Sequence, residues 1–256
     1  MKKLVKIISA VLALTFVFAF ASCNKNKDGK SQSVKTVKNG VLTMGTNATF
    51  PPYEYHEGGE IIGIDAEIAK AIADKLGLEL EIKDMEFATL ISALEANQID
   101  IVAAGMTVTP DRENKVLFSD SYAAGIQSII VMENSPVKTS DDLKGKLIGV
   151  QESTTGDIYA TDDFGDASIK RFNKGTDAVS ALKNGQVQAV IIDKEPAKNY
   201  VQANPGTKIL PADYANEDYA IAIAKSNPEL KEQVNKALKE LEADGTLQKI
   251  IDKYIK

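Results

Sequence analysis

The stretch SALEANQIDIV, residues 92–102, recurs later in the chain as SALKNGQVQAV, residues 180–190. The opening serine, alanine and leucine, the glutamine of the turn and the final valine are identical in the two copies. Each copy has the pattern of a helix end, a tight turn and an apolar strand. Because a unit that repeats within one chain indicates repeated architecture, this pattern predicts two similarly built lobes.

The two copies differ just after their strands. The first copy continues with Ala104-Gly105, and the second continues, at the same offset, with Ile192-Asp193. Ligands of open α/β sheets bind beyond the carboxyl ends of the strands. We therefore expect one lobe to present bare backbone at Ala104 and Gly105 and the other to present the Asp193 carboxylate. The alternative role for Asp193 is to cap the helix that begins near Lys194.

Short apolar, β-rich segments alternate with helical patterns along the rest of the chain. Strands are predicted at residues 41–46, 78–82, 99–103, 147–150, 187–192 and 219–224. Helices are predicted at residues 65–76, 88–96, 176–183, 195–202, 228–243 and 246–256, with Gly77 as the stop of the first. This alternation predicts an α/β fold with mainly parallel sheets flanked by helices.

The amino-terminal segment, residues 1–22, is predicted to be an export signal. Three lysines precede an uncharged apolar run over residues 7–21, which is too short for a spanning helix. The sequence FASC, residues 20–23, resembles a bacterial lipobox, although such motifs usually begin with leucine, and it predicts lipid attachment at Cys23. Cleavage one residue earlier is the alternative and leaves Cys23 as a free thiol. Residues 23–40 are polar and are expected to form a flexible tether.

The charge and composition exclude several kinds of partner. The formal charge is −6, and loss of the three signal lysines makes the mature chain −9. An acidic chain without a basic patch is not expected to bind nucleic acid. The single histidine, His56, lies in a polar turn, and the sequence contains no phosphate-binding glycine loop. We therefore predict no metal site and no cofactor.

The segment that follows Gly105 places an arginine at an unusual position. Thr109 is suited to an N-cap and Pro110 to the first helical position, so Arg112 falls in the first turn of a helix. A cation there opposes the helix dipole. One interpretation is that Arg112 binds the carboxylate of a ligand. The other is that it lies on the surface and pairs with a neighbouring acid such as Asp111.

Four ordered blocks of the sequence resemble the family 3 extracellular solute-binding proteins, the amino-acid receptors of ABC importers. The blocks are GTNATFPPYE (residues 45–54), GID (63–65), GMTVTPDR (105–112) and FSDSY (118–122). The resemblance extends from the first predicted strand to the C-terminal helices. It implies a two-lobe fold of the type II periplasmic-binding-protein class with two crossovers at the hinge.

The resemblance also implies boundaries for the lobes. The first would comprise residues 41–124 and 220–256, and the second residues 125–219. The chain would cross between them near residues 123–126 and again near residues 216–219.

Carried over position by position, the resemblance implies a set of ligand-binding residues. They are Asn47, Phe50, Phe87, Ala104, Gly105, Thr107, Arg112, Gln151, Thr154, Thr155 and Asp193. Phe50 and Phe87 would enclose the aliphatic part of the ligand. Arg112, with the N–H groups of Thr107 and Thr155, would bind the α-carboxylate. Asp193 and the Gly105 carbonyl would receive the α-ammonium.

The identity of the ligand's side chain depends on a departure from the family pattern. Asn47 and Gln151 would line the side-chain end of the site, and receptors for basic amino acids often have aspartate where this chain has Asn47. A polar, uncharged ligand such as glutamine or cystine is therefore favoured. A basic ligand would need Glu54 or Glu152 as its partner.

The function implied is capture of a free amino acid by hinge closure and delivery to a separate permease and ATPase. The protein would be a monomer outside the cytoplasm, attached to the membrane by lipid at Cys23, and not an enzyme. The alternative is an enzyme on the same scaffold, resembling the periplasmic cyclohexadienyl and arogenate dehydratases, with Glu152 as its general acid. A third possibility, the sensing portion of a receptor, has no second apolar span to support it.

Overall fold

The fold is built on a nine-stranded mixed sheet in residues 34–255, the part of the chain that the computed structural model describes. The predicted signal peptide, Cys23 and most of the predicted tether lie outside these residues. Within residues 34–255 no helix is long and apolar enough to cross a bilayer.

The described part of the chain contains twelve strands and eight helices. The strands are β1 (Val41–Thr46), β2 (Thr49–Phe50), β3 (Glu54–Glu57), β4 (Glu60–Ile62), β5 (Glu79–Asp84), β6 (Ile101–Val102), β7 (Val116–Met132), β8 (Ile148–Gln151), β9 (Ile169–Phe172), β10 (Ala189–Asp193), β11 (Thr207–Ile209) and β12 (Ala215–Ala224). The helices are α1 (Ile64–Leu76), α2 (Leu90–Glu95), α3 (Pro110–Glu113), α4 (Thr155–Phe164), α5 (Gly175–Lys183), α6 (Lys194–Ala203), α7 (Pro228–Ala243) and α8 (Thr246–Tyr254).

The strand order divides the molecule into two lobes. The order is β5-β1-β6-β12-β7-β10-β8-β9, with β11 added to β7, while β2, β3 and β4 form a separate small sheet. In the first lobe β1 pairs in parallel with β5 and β6, and in the second β8 pairs in parallel with β9 and β10. The predicted two-lobe α/β fold, with mainly parallel sheets and flanking helices, is confirmed.

The long strands β7 and β12 connect the two lobes. They pair antiparallel between Ala123 and Tyr219 and between Gln127 and Ala215, where the sequence predicts that the chain crosses. The sequence pattern does not predict β7 as a strand, because Ser119-Asp120-Ser121 and Gly125 interrupt its apolar residues. The ladder with β12 supplies the hydrogen bonds that keep this segment extended. The exact boundaries of the lobes remain a prediction.

The sequence repeat corresponds to a repeated structure. In the first copy the Gln98 N–H donates to the Ala93 carbonyl at 2.9 Å, and in the second the Gln186 N–H donates to the Ala181 carbonyl at 2.9 Å. The residue before each glutamine, Asn97 or Gly185, has a positive φ that closes the turn. The predicted equivalence of the two units is therefore confirmed, and each leads into a strand, β6 or β10, that points at the same cavity.

Several predicted boundaries need correction. The strand predicted at 99–103 is reduced to β6, and the helix predicted at 88–96 begins as a 3-10 turn, Phe87–Thr89, before α2. The hairpin of β2, β3 and β4, and the edge strands β9 and β11, are not predicted. Gly77 closes α1 in the left-handed region, as expected. Short edge elements escape sequence prediction because their partners, and not their own periodicity, make them strands.

Apolar residues are buried on both sides of the crossing strands. Leu90, Leu94 and Val102 belong to a cluster in the first lobe, and Ile148 and Ile191 belong to one in the second. Each of these two clusters lies within one lobe, and a third, larger cluster contains residues of both lobes, among them Leu42 and Val190. The polar ends of the strands in each lobe are left to face the space between the lobes.

Candidate functional site

A cavity lies where β6 and β10 end. Its lining consists of Asn47, Phe50, Glu54, Phe87, Ala104, Gly105, Thr107, Arg112, Gln151, Thr154, Thr155 and Asp193. All eleven residues predicted to bind ligand are thus brought together, although the ligand-binding role of each remains a prediction. Glu54 is the one addition.

Arg112 is buried, with 6% of its surface exposed. Its Nη1 donates to the Thr107 carbonyl at 2.7 Å and its Nη2 to the Ser153 carbonyl at 3.0 Å, and its guanidinium lies 5.4 Å from the centre of the Phe87 ring. No carboxylate of the described residues forms a salt bridge with it. The surface-pair interpretation with Asp111 is therefore wrong. Burial lowers the pKa of Arg112, but guanidinium stays protonated in proteins, so the cavity contains a cation without a bonded counter-ion.

Local sequence explains how Arg112 is held. The Thr109 hydroxyl accepts from the Arg112 N–H at 3.3 Å and Pro110 begins α3, as predicted. The helix has only four residues, so its dipole contributes little to the site. The position of the guanidinium is set by the carbonyls that it contacts.

The start of α4 adds hydrogen-bond donors from the second lobe. The Thr154 side chain caps the helix by accepting from the Asp157 N–H at 3.4 Å. Thr155 is the first helical residue, so its N–H has no acceptor within the helix. Its hydroxyl lies 3.4 Å from that of Thr107 in the first lobe. These groups and Arg112 together form a site for an anion such as a carboxylate.

Asp193 lies at the opposite side of the cavity, at the end of β10, and is 6% exposed. Its side chain makes no capping hydrogen bond to α6, so the capping interpretation is wrong. The Tyr219 hydroxyl donates to its carboxylate instead. Burial, and then the nearby Glu217 carboxylate, raise the pKa of Asp193 to about 7. A ligand ammonium in the cavity would replace the charge stabilisation that burial removes.

Position 105 favours glycine because of its backbone conformation and its close neighbours. It has φ +52°, and a Cβ atom there would lie 2.9 Å from the Phe50 ring. Its N–H donates to Asp65 Oδ2 at 2.7 Å, and the Tyr122 hydroxyl donates to the same oxygen at 2.7 Å. Asp65 is fully buried at the start of α1 and thus connects the Gly105 loop to crossing strand β7.

Asn47 and Gln151 bind each other across the cavity. The Gln151 Nε2 donates to Asn47 Oδ1 at 2.9 Å, and Asn47 Nδ2 donates to the Met85 carbonyl at 2.8 Å. Most of their hydrogen-bonding capacity is therefore used within the protein. Glu152, the predicted general acid of the enzyme alternative, is exposed and does not line the cavity.

Buried acids are the part of the site that sequence reasoning largely missed. Glu54 is 1% exposed and Glu217 is 7% exposed, and each has a buried carboxyl oxygen without a hydrogen-bond partner. Gln127, fully buried on β7, donates to Glu217 at 3.0 Å. The block Gly63-Ile64-Asp65 was the available signal for Asp65. No sequence signal marked Glu217, because its neighbours Asn216 and Asp218 are polar and exposed.

The raised pKa values of two buried acids, Asp65 and Asp193, should make the folded protein more stable at acidic than at neutral pH. The folded chain raises the pKa of Asp65 to about 6 and that of Asp193 to about 7, from 3.8, so it binds more protons than the unfolded chain between about pH 4 and pH 7. This stabilisation is complete at low pH and is lost as pH rises through the folded pKa values. Without amino acid, we expect a higher thermal midpoint at pH 5 than at pH 7.5.

Replacing Asp193 by asparagine should reduce this slope, because the residue then no longer titrates. The matched control is Asp111→Asn, which changes an exposed aspartate. A midpoint that falls steadily as pH is lowered from 7.5 to 5 would contradict the expectation.

A cavity between two α/β lobes, with a buried arginine on one side and a buried aspartate on the other, defines a two-lobe binding protein of the periplasmic-binding-protein class. Comparison of the sequence with known families agrees. The chain belongs to the bacterial extracellular solute-binding proteins, family 3, whose sequence model matches residues 42–256. The family resemblance noted from the sequence is confirmed.

Relatives with known names support this assignment. The chain is 35% identical over 249 residues to the arginine-binding extracellular protein ArtP of Bacillus subtilis (strain 168), covering 95% of each chain. An ancestral arginine-binding protein bound to arginine superimposes with a TM-score of 0.81 and 43% identity, over 85% of this chain and 99% of that one. A structure of an ancestral arginine-binding protein bound to glutamine also superimposes with a TM-score of 0.81. It is 42% identical, over 85% of this chain and 99% of that one.

Membership of this family establishes the general role. The chain has the solute-binding role of this extracellular family, and similar proteins are named as arginine- and glutamine-binding proteins of ABC transporters. The alternative of a dehydratase-like enzyme finds no support among these relatives, which are named as binding proteins.

Proposed function

We propose that this protein binds one free L-amino acid with a cationic side chain, arginine foremost, and delivers it to its importer without chemical change. The observation that carries the proposal is the presence of Glu54 in the same cavity as Arg112 and Asp193. A zwitterion occupies Arg112 with its carboxylate and Asp193 with its ammonium. Glu54 is then left as an acidic partner for the side chain.

The balance of charge in the site supports a cationic ligand over a neutral one. Among the described residues, Arg112 is the only cationic side chain that lines the cavity, against the acids Glu54 and Asp193. Glu217 and Asp65 add two further buried acids close by. Because Asn47 and Gln151 already bind each other, Glu54 is the better placed partner for a ligand side chain. This revises the preference for a neutral ligand drawn from Asn47 alone.

Hinge closure is the proposed mechanism. Two hydrogen bonds connect the lobes. Arg112 of the first lobe donates to the Ser153 carbonyl of the second at 3.0 Å, and Gln151 of the second lobe donates to Asn47 of the first at 2.9 Å. A ligand that touches both lobes favours the closed arrangement by its difference in affinity for the two states. Lipid attachment at Cys23 and a monomeric state remain predictions from the sequence.

The test is a calorimetric screen of the purified chain against the twenty amino acids and cystine, followed by the Glu54→Gln variant. Arginine should bind most tightly. In Glu54→Gln its affinity should fall at least about 30-fold, because removal of one partner from a buried charge pair costs about 2 to 5 kcal/mol. Glutamine, which needs no acidic partner, should be affected much less.

Glu57→Gln is the matched control, since Glu57 is an exposed glutamate on the same strand β3. It should bind arginine as the wild type does. If no amino acid binds, or if arginine is converted to a product, the proposed function is wrong. If a neutral amino acid binds best, the ligand class is wrong.

A further inference from the structure

Asp65 and Glu54 form a pair of buried carboxyl groups beside the cavity. Both are at least 99% buried, and the Asp65 carboxylate is near enough to raise the pKa of Glu54 further after burial itself. Asp65 Oδ1 and Glu54 Oε2 have no N–H or O–H donor among the described residues. Two buried carboxyl groups close together oppose each other's ionisation, and here each has an oxygen without a donor to offset that cost. We therefore expect the pair to hold one proton.

The surroundings decide which of the two carries the proton. Asp65 Oδ2 accepts from the Gly105 N–H and from the Tyr122 hydroxyl, each at 2.7 Å. Donors of this kind stabilise the ionised form. Glu54 Oε2 has no such donor. Asp65 is therefore the better stabilised anion, and the proton lies on Glu54.

The charged groups that oppose ionisation of Glu54 are all acids. They are Asp65, Asp84 and Asp193, while burial raises the pKa of the surrounding Tyr53, Tyr122 and Tyr200 and keeps these phenols neutral. Arg112, the cation that lines the same cavity, is held by the carbonyls of Thr107 and Ser153. Burial and these acids together raise the pKa of Glu54 well above its ordinary value. A cation brought against Glu54 is thus the change that would ionise it.

We propose that Glu54 holds this proton until a cationic amino acid binds, and that the side chain of that ligand displaces the proton to solvent. With a neutral side chain the proton stays, and Glu54 serves as a hydrogen-bond donor. The charge balances in both cases: one positive charge enters and one proton leaves, or neither happens. The inference rests on the proposed function, and it would allow one site to accept either arginine or glutamine.

The experiment is titration calorimetry of the full chain with arginine and with glutamine in buffers of different ionisation enthalpy near pH 7. We expect arginine to release about one proton more than glutamine. Any proton released by Asp193 when it meets the α-ammonium is common to both ligands, so the difference isolates Glu54. The affinity for arginine should consequently rise with pH more steeply than that for glutamine.

Two variants identify the source of the proton. In Glu54→Gln the difference between the ligands should vanish, and in Asp65→Asn it should fall because Glu54 is already ionised. In Glu57→Gln the difference in proton release between the two ligands should remain. Equal proton release for the two ligands, or a difference that survives in Glu54→Gln, would overturn the inference while leaving the proposed function intact. Absence of binding by both ligands in the wild type would instead contradict the proposed function.

Discussion

Replacing Arg112 by alanine is expected to reduce the affinity for every amino acid by roughly 150-fold to 4500-fold, a loss of about 3 to 5 kcal/mol. The ligand carboxylate would enter a buried site whose only lining cation has been removed. The N–H groups at the start of α4 remain, but they supply partial charges only. The loss should therefore apply equally to arginine and glutamine, unlike that of Glu54→Gln. Calorimetry or equilibrium dialysis measures it directly.

The control for this variant is Arg171→Ala, which removes the other arginine of the sequence. Arg171 lies on β9, partly exposed, and forms ion pairs with Asp157 and Asp166 at 3.0 and 2.8 Å. It should retain ligand affinity. Thermal unfolding of both variants checks that the fold is kept. Near-normal affinity in a folded Arg112→Ala protein would contradict the assignment of the carboxylate site.

Replacing Gly63 by alanine is expected to lower the free energy of unfolding by roughly 3 kcal/mol or more. Gly63 has φ +127°, and a Cβ atom there would lie 2.2 Å from the Tyr53 carbonyl oxygen and 2.8 Å from that of Pro52. Those two carbonyls accept from the first N–H groups of α1, at Ile64 and Asp65. The added methyl group would separate α1 from its cap.

The matched control is Gly59→Ala in the neighbouring hairpin. Gly59 also has a positive φ, +90°, but a Cβ atom there meets nothing within 4 Å. Gly59→Ala should lower the free energy of unfolding only by the backbone strain, about 1 to 2 kcal/mol. Chemical denaturation of the two variants separates strain from steric clash. Equal losses in both would show that the contact with Tyr53 is not what requires glycine at Gly63.

The Gly63→Ala variant also bears on the site, because Gly63 separates the segment containing Glu54 from Asp65. Displacement of α1 would move Asp65 away from the Gly105 N–H. We therefore expect the variant, where it folds, to bind amino acids more weakly than Gly59→Ala. The first turn of α1 therefore links the stability of the fold to ligand binding.

Much of this architecture follows from local patterns. The repeat over residues 92–102 and 180–190 predicted the two lobes, and the residues after each repeat, Gly105 and Asp193, predicted two sides of one cavity. Thr109 and Pro110 predicted the helix start that positions Arg112. These predictions succeed because hydrophobic periodicity, caps and turns act over a few residues and can be read in sequence order.

Other features depend on partners distant in the chain, and only the tertiary structure decided them. The extended path of β7 requires β12, the hydrogen bond between Asn47 and Gln151 joins residues 104 positions apart, and the burial of Glu54 beside Asp65 brings together two separate segments. In each case the energy of a polar group depends on which distant group shares its low-dielectric surroundings. The sequence alone thus determined the two-lobe binding fold and the positions of Arg112 and Asp193, which we propose bind the two ends of an amino acid. The folded structure decided the acidic surroundings of the cavity, in which we propose that the ligand side chain is recognised.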